Sequence, residues 1–416
     1  MSATLTQFDA VLNILLVVTV ITLITRKLRF PHTIALIFAG IYSTFITRFP
    51  FPKLEPEIFI SILLPPILFQ ETLHLDVYGF VDESDTILSY AVFGTIAMVL
   101  SIFFFSWFVL GLDIIESFLL GIIIAPTDPV AVIGTFQRMG VLKKFQLLVA
   151  GESILNDGVA IVIYSILVSI VTLGSFSVIG LAIDSIVAIV GGLLLGILGG
   201  YFAHILFCWT EDKFAEALIS FIIAFGVFRV AEELGASGVL ATVLAGLILN
   251  YRCRTYGGLG EPSIEMLNAM WEFVGFIAQS IAFIFIGMNT DPVVLYEYLW
   301  PIISLTLFIL FARYFMVLAV SGFLKSIKGK IVPTNWKLAM TWSGLRGGVS
   351  VVLALGVSGL HLLNIEKIVA LTFGIVLLSN VFQGVSISMI VQKSNLSAIN
   401  NQIRKDKKRN SETSKG

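Results

Sequence analysis

The chain has 416 residues, of which 57% are hydrophobic and 13% charged, with a net charge of −1 and a mean hydropathy of +0.98. That balance excludes a soluble globular domain and makes the chain a polytopic, all-α membrane protein. The near-neutral charge gives no sign of a nucleic-acid partner, and none is expected.

Thirteen apolar segments come close to the roughly 20 residues needed to cross a bilayer core about 30 Å thick. They fall near 8–25, 32–49, 57–75, 86–111, 114–137, 146–173, 176–207, 214–234, 237–250, 263–288, 293–324, 334–359 and 365–392. The first is read as a retained helix and not a signal peptide, because Arg26, Lys27 and Arg29 follow it instead of preceding it. The connections are too short for a soluble domain. Residues 1–395 therefore form one transmembrane unit, and 396–416 a basic tail expected to be disordered. With the N-terminus outside, Arg26, Lys27, Arg29, Arg138, Lys143, Lys144, Arg252, Arg254, Lys325, Lys328, Lys330 and the tail fall on the cytoplasmic side. Only Arg48, Lys53 and Lys367 fall outside, which supports an odd number of spans.

The fifth predicted span contains Ala125-Pro126-Thr127-Asp128-Pro129, and the twelfth contains Gly344-Leu345-Arg346-Gly347-Gly348. Pro129 cannot donate to the carbonyl of Ala125, nor Pro126 to that of Ile122, so both spans are expected to break near mid-membrane. The breaks lie seven spans apart. That is the offset of an inverted repeat relating spans 1–6 to 8–13, and paired interruptions of this kind mark the binding site of a secondary transporter.

The sixth span carries Gly151-Glu152-Ser153-Ile154-Leu155-Asn156-Asp157-Gly158. Ser153 and Asp157 share one helix face at i,i+4, and Glu152 and Asn156 share another about 100° away. A carboxylate at a membrane helix centre costs about 2.5–3.5 kcal/mol. Asp128, Glu152 and Asp157 are therefore expected to face a cavity, a partner or an ion. Carboxylate, hydroxyl, amide and freed carbonyl oxygens suit Na⁺, Li⁺ or K⁺, and no His or Cys lies near them in sequence. The candidate ion site comprises Asp157, Asp128, Ser153, Thr127, Asn156 and Glu71. Carboxylates can also hold protons, so a site presented to alternate faces of the membrane would exchange one for the other. No enzymatic chemistry and no cofactor are expected.

These motifs, with Leu64-Pro65-Pro66-Ile67-Leu68-Phe69 and Phe285-Ile286-Gly287, resemble the NhaP/NHE branch of the monovalent cation:proton antiporters, from about residue 8 to 395. The resemblance implies an NhaA-like fold of inverted repeats with two broken, crossing helices. It also implies a mobile core domain, a dimerisation domain and a homodimer. It assigns Asp157 as the ion and proton carrier, Asp128 and Ser153 as its helpers, and a structural ion pair between Glu152 and Arg346. One departure stands out. The family usually places an acid directly after Pro-Pro-Ile-Leu-Phe, where this chain has Gln70 followed by Glu71. The shift turns Glu71 by about 100°, so both a cavity position and a helix-end position are open to it.

The expected function is exchange of Na⁺ or Li⁺ for H⁺ in a prokaryotic plasma membrane, with a role in pH regulation. Position 157 offers one carrier acid beside Asn156, which favours an electroneutral one-for-one exchange. A K⁺/H⁺ exchanger is the nearest alternative. A passive channel fits less well, because the acids are dispersed and the broken helices paired. An intramembrane aspartyl protease would need its two aspartates in other surroundings. Arg229 and Arg313 read as structural or snorkelling, the glycines from Gly191 to Gly200 as a packing face, and His32, His74, His204 and His361 as surface residues. Cys208 and Cys253, at predicted helix ends, are expected as free thiols.

Overall fold

Proline and glycine decide where these helices stop. The computed structural model describes residues 2–28, 32–44, 56–173, 178–210, 212–258, 260–288, 292–357, 360, 362–394 and 396. The tail expected to be disordered, apart from residue 396, lies outside them, as does His361.

In chain order, α1 (Ser2–Leu28), α2 (His32–Thr44) and α3 (Pro56–His74) precede a short α4 (Val77–Asp82). Next come α5 (Ser84–Phe108), α6 (Ile114–Ile124), α7 (Val130–Arg138) and α8 (Lys143–Leu173). They are followed by α9 (178–208), α10 (Lys213–Glu233), α11 (Gly238–Tyr256) and α12 (Glu261–Met288). A short α13 (Pro292–Glu297) leads to α14 (Leu299–Lys328), α15 (Thr334–Trp342), α16 (Gly348–Gly356) and α17 (Ile365–Lys393). Seven of them, α5, α8, α9, α10, α12, α14 and α17, are long and apolar enough to cross a membrane. Shorter apolar stretches lie in α1, α2 and α6.

Both breaks fall where expected. A capping box of Asp113 and Glu116 opens α6, and the helix stops at Ala125, just before the two prolines. The glycines around Arg346 separate α15 from α16. The two interruptions cross and share a backbone hydrogen bond, Asp128 N to Leu345 O at 2.8 Å. Three further backbone groups in and beside the second break are met by α17. Ser379 Oγ accepts from Arg346 N at 3.2 Å, and Asn380 and Gln383 donate to the carbonyls of Arg346 and Trp342 at 2.8 and 3.1 Å. A buried backbone without such partners would be strongly destabilised in hydrocarbon.

Packing falls into two groups of helices. The first contains α1–α3 and α9–α12, and the second contains α5–α8 and α14–α17. The glycines of α9 form a close-packing face. A Cβ on Gly192, Gly196 or Gly200 would strike the carbonyl oxygens of Ser237, Ala241 or Ala245 in and just before α11. At one end of the second group Glu83 pairs with Lys144 at 2.5 Å, and Asp85 with Lys330 at 2.6 Å. The Asp85 carboxylate beside it holds the Lys330 ammonium above its usual pKa. Both thiols are free. His204 is buried instead of lying at the surface, with Nε2 at 3.2 Å from the Gly257 carbonyl.

The expected ion pair is a correction. Glu152 Oε1 accepts from Arg313 Nη2 at 2.9 Å, with both side chains nearly inaccessible, and not from Arg346. Gly344 makes room for this, since a Cβ there would meet the Arg313 guanidinium. Arg346 Nη1 instead donates to the carbonyls of Ala125 and Pro126, the latter at 3.0 Å. The physical reason is that a half-helix ends there. Carbonyls freed at a helix C-terminus, where the dipole is negative, are a good partner for a guanidinium. Arg229, by contrast, forms an exposed pair with Glu233 at 2.9 Å.

Removing one member of a buried pair typically costs about 3–5 kcal/mol, because the other charge is stranded. Glu152→Gln and Arg313→Gln should therefore each lower thermal stability, and the double variant should lose less than their sum. A double-mutant cycle by thermal shift checks this. The coupling should exceed that between Glu152 and Arg346, and an equal or smaller coupling would reject the assignment.

Candidate functional site

Five separate pieces of chain converge where the broken helices cross. The first break presents Pro126, Thr127 and Asp128, and α8 presents Asp157. Ile67 and Glu71 come from α3, and Gln279 from α12. Gly347 and the start of α16, up to Ser350, close the wall. Together with Val349 these residues line one small cavity. It offers about 10 Å³ to the centre of a water-sized sphere, which is room for about one water molecule or one largely dehydrated monovalent ion.

The sequence of the first break explains its shape. With Pro126 and Pro129 unable to continue the helix, Thr127 and Asp128 lie in the non-helical link between α6 and α7. That chain is held from α8. Thr127 Oγ1 lies 2.9 Å from Ser153 Oγ and accepts from Asn156 Nδ2 at 2.9 Å, while Thr127 N donates to Asn156 Oδ1 at 3.4 Å. Asp128 is fixed at its backbone by Leu345 and at Oδ2 by Gln279 Nε2, 3.4 Å away. Gly347 is required opposite it, since any Cβ there would overlap the Asp128 side chain.

Of the six site residues expected from the sequence, Asp157, Asp128, Thr127 and Glu71 reach the cavity wall. Ser153 and Asn156 stand one layer behind it and hold Thr127. The one-residue shift in α3 resolves in favour of the cavity. Gln70 packs against α12 at Gly275, where a Cβ would meet its amide, and Glu71 turns to the wall.

Oxygen atoms dominate the polar part of the wall. Asp157 Oδ1, Glu71 Oε2 and Ser350 Oγ are buried without a hydrogen-bond partner. Buried polar atoms are rarely left so unless something else completes them. Asp157, Asp128 and Glu71 share the wall, but among the described residues no three His, Cys, Asp or Glu side chains are close enough to grip one metal ion together. The donors are hard oxygens, which suit monovalent or hard cations and protons.

Gln279, Ser350 and the pairing role of Arg313 were missed from the sequence. Gln279 left a weak signal, an amide in the middle of an apolar span. Ser350 left none, because a serine after a glycine-rich break is common.

Comparisons with known proteins place the whole fold in context. The family described as sodium/hydrogen exchanger, transmembrane, matches residues 14–393. The Na⁺/H⁺ antiporter ApNhaP of Aphanothece halophytica is 30% identical over 94% of this chain and 75% of its own. The Na⁺/H⁺ antiporter NhaH of Halobacillus aidingensis is 28% identical over 94% of this chain and 98% of its own. The solved structure of the sodium proton antiporter MjNhaP1 from Methanocaldococcus jannaschii superposes with a TM-score of 0.76 at 21% identity. It covers 94% of this chain and 99% of that one, a likeness of fold. Two crossing broken helices, an oxygen-lined cavity between them and a family match over nearly the whole length lead to one conclusion: the chain belongs to the sodium/hydrogen exchanger family of membrane transporters.

Proposed function

We propose that this protein exchanges Na⁺ or Li⁺ for H⁺ across the membrane, with both ligands competing for Asp157. The observation that carries the reading is the Asp157 carboxylate, 4% exposed. It lines a cavity of single-ion size and has one oxygen without a protein partner. A carboxylate so placed must be neutralised, by a proton or by a cation, before it is stable in a low-dielectric setting. Occupancy by one therefore excludes the other. Asp128 supplies the second carboxylate and Glu71 a third, while Thr127, positioned by Ser153 and Asn156, shapes the break. The names of the relatives support the choice of Na⁺ and H⁺.

The site lies between the two helix groups. We take the group carrying Asp157 and Asp128 as the mobile core and the other as the dimerisation domain of a homodimer. Thirteen crossings with the N-terminus outside fit the distribution of Lys and Arg. The cluster of Lys144, Lys328 and Lys330 with Glu83 and Asp85 would then lie on the cytoplasmic side. A prokaryotic plasma membrane and a part in pH regulation follow from the same reading.

The direct test is reconstitution in liposomes with a pH dye, adding Na⁺, Li⁺ and K⁺ in turn. A cation gradient should drive protons uphill, which no passive channel can do. Asp157→Asn should abolish exchange in a folded protein, and Asp128→Asn should weaken it and raise the apparent KM for the cation. Normal exchange by the first variant would remove Asp157 from its role. Exchange should also be electroneutral, since a single carrier acid trades one H⁺ for one monovalent cation. Clamping the membrane potential with valinomycin and K⁺ at a fixed pH gradient should leave the rate unchanged, and a rate that follows the potential contradicts the one-for-one scheme.

A further inference from the structure

Gln279 belongs to no motif of the chain, yet it is the side chain through which α12 reaches Asp128. Its Nε2 donates to Asp128 Oδ2 at 3.4 Å, and it lines the cavity. The bond runs from one helix group to the other. α12 packs mainly on α2, α3 and α10, whereas Asp128 sits in the break between α6 and α7.

The backbone that carries Gln279 is held on both sides. Four residues earlier, Gly275 lets α3 approach so closely that a Cβ would overlap the Gln70 amide. Eight residues later, Gly287 meets α2, where a Cβ would overlap the carbonyl oxygen of Ile37 and stand 2.7 Å from the Cα of Gly40. The contact at Gly287 is backbone to backbone and leaves no slack, because nothing there can change rotamer, whereas the contact at Gly275 is to the Gln70 side chain. The origin of the Gln279 side chain is therefore held against α2 by backbone contact and packed on α3, which carries Glu71.

We propose that Gln279 is a positioning residue that sets discrimination among monovalent cations. By holding Asp128 at a fixed place in the cavity, its amide prevents that carboxylate from following the ion. Carboxylates held apart by the fold favour one ionic radius, whereas a freed carboxylate adjusts its distance to an ion of any radius. Selectivity of this kind depends on the number, field and stiffness of the oxygen ligands. The proposal rests on the exchange reading of the same cavity, and it deepens that reading by naming a residue outside the carrier motif.

The test compares wild type, Gln279→Ala and Gln279→Met in proteoliposomes, with apparent KM and maximal rate measured for Li⁺, Na⁺ and K⁺. Methionine keeps the length of the side chain but cannot donate. Both variants should raise the KM of the preferred cation about tenfold, the scale of one hydrogen bond to a charged group. They should narrow the spread of KM values across the three cations. A change in the ratio between cations is a readout that general destabilisation would not produce. If Gln279→Ala fails to fold, the methionine variant alone decides. Unchanged KM ratios in a folded variant would overturn the proposal. So would discrimination lost in the alanine variant but kept in the methionine one, since that would make Gln279 a filler of the wall. Absence of cation-driven proton movement in wild type would instead reject the exchange reading itself.

Discussion

A backbone that leaves the helix inside a membrane must find new hydrogen-bond partners there, and this constraint organises the molecule. Two spans break at nearly the same place and serve one another. Asp128 N meets Leu345 O, and the guanidinium of Arg346 covers the carbonyls of Ala125 and Pro126. What the breaks cannot satisfy mutually is taken up by polar side chains of intact helices. Ser379, Asn380 and Gln383 of α17 serve the second break, and Asn156 of α8 serves the first. The crossing is therefore held by hydrogen bonds between the two breaks and to α8 and α17, and the cavity lies beside it.

The buried charges follow the same logic. Glu152 is paired with Arg313, and Arg346 donates to two carbonyls at the end of a half-helix. Asp157 keeps an oxygen with no protein partner, while its chain neighbours Ser153 and Asn156 are committed to Thr127. Asn156 and Asp157 are successive residues, and the 100° between neighbouring side chains turns one to Thr127 and the other to the cavity.

The cavity also joins two helix groups. Its wall takes Asp157, Thr127, Asp128 and Ser350 from one and Glu71 and Gln279 from the other. A site on such a seam responds to relative movement of the groups, whereas a site inside either one would not. Glycine contacts of α12 with α2, and of α9 with α11, bring helix backbones of the first group into direct contact.

The sequence by itself determined the class of the protein, the places of the two breaks and the acids at the site. Each is a local or compositional property. Apolar length sets the spans, Pro126, Pro129 and the glycines around Arg346 set the breaks, and a carboxylate in an apolar run declares itself. Partner choice was decided only by the tertiary structure. Glu152 had two arginines within reach of the same argument, Arg313 and Arg346, and nothing in the spacing separated them. The position of Gly344 against Arg313 and the free carbonyls at the end of α6 settled the matter through contacts between residues far apart in sequence. Glu71 and Gln279 reached the cavity for a similar reason. The rotation of a helix about its axis is fixed by the neighbours it packs on, here Gln70 against Gly275, and not by the residues it contains.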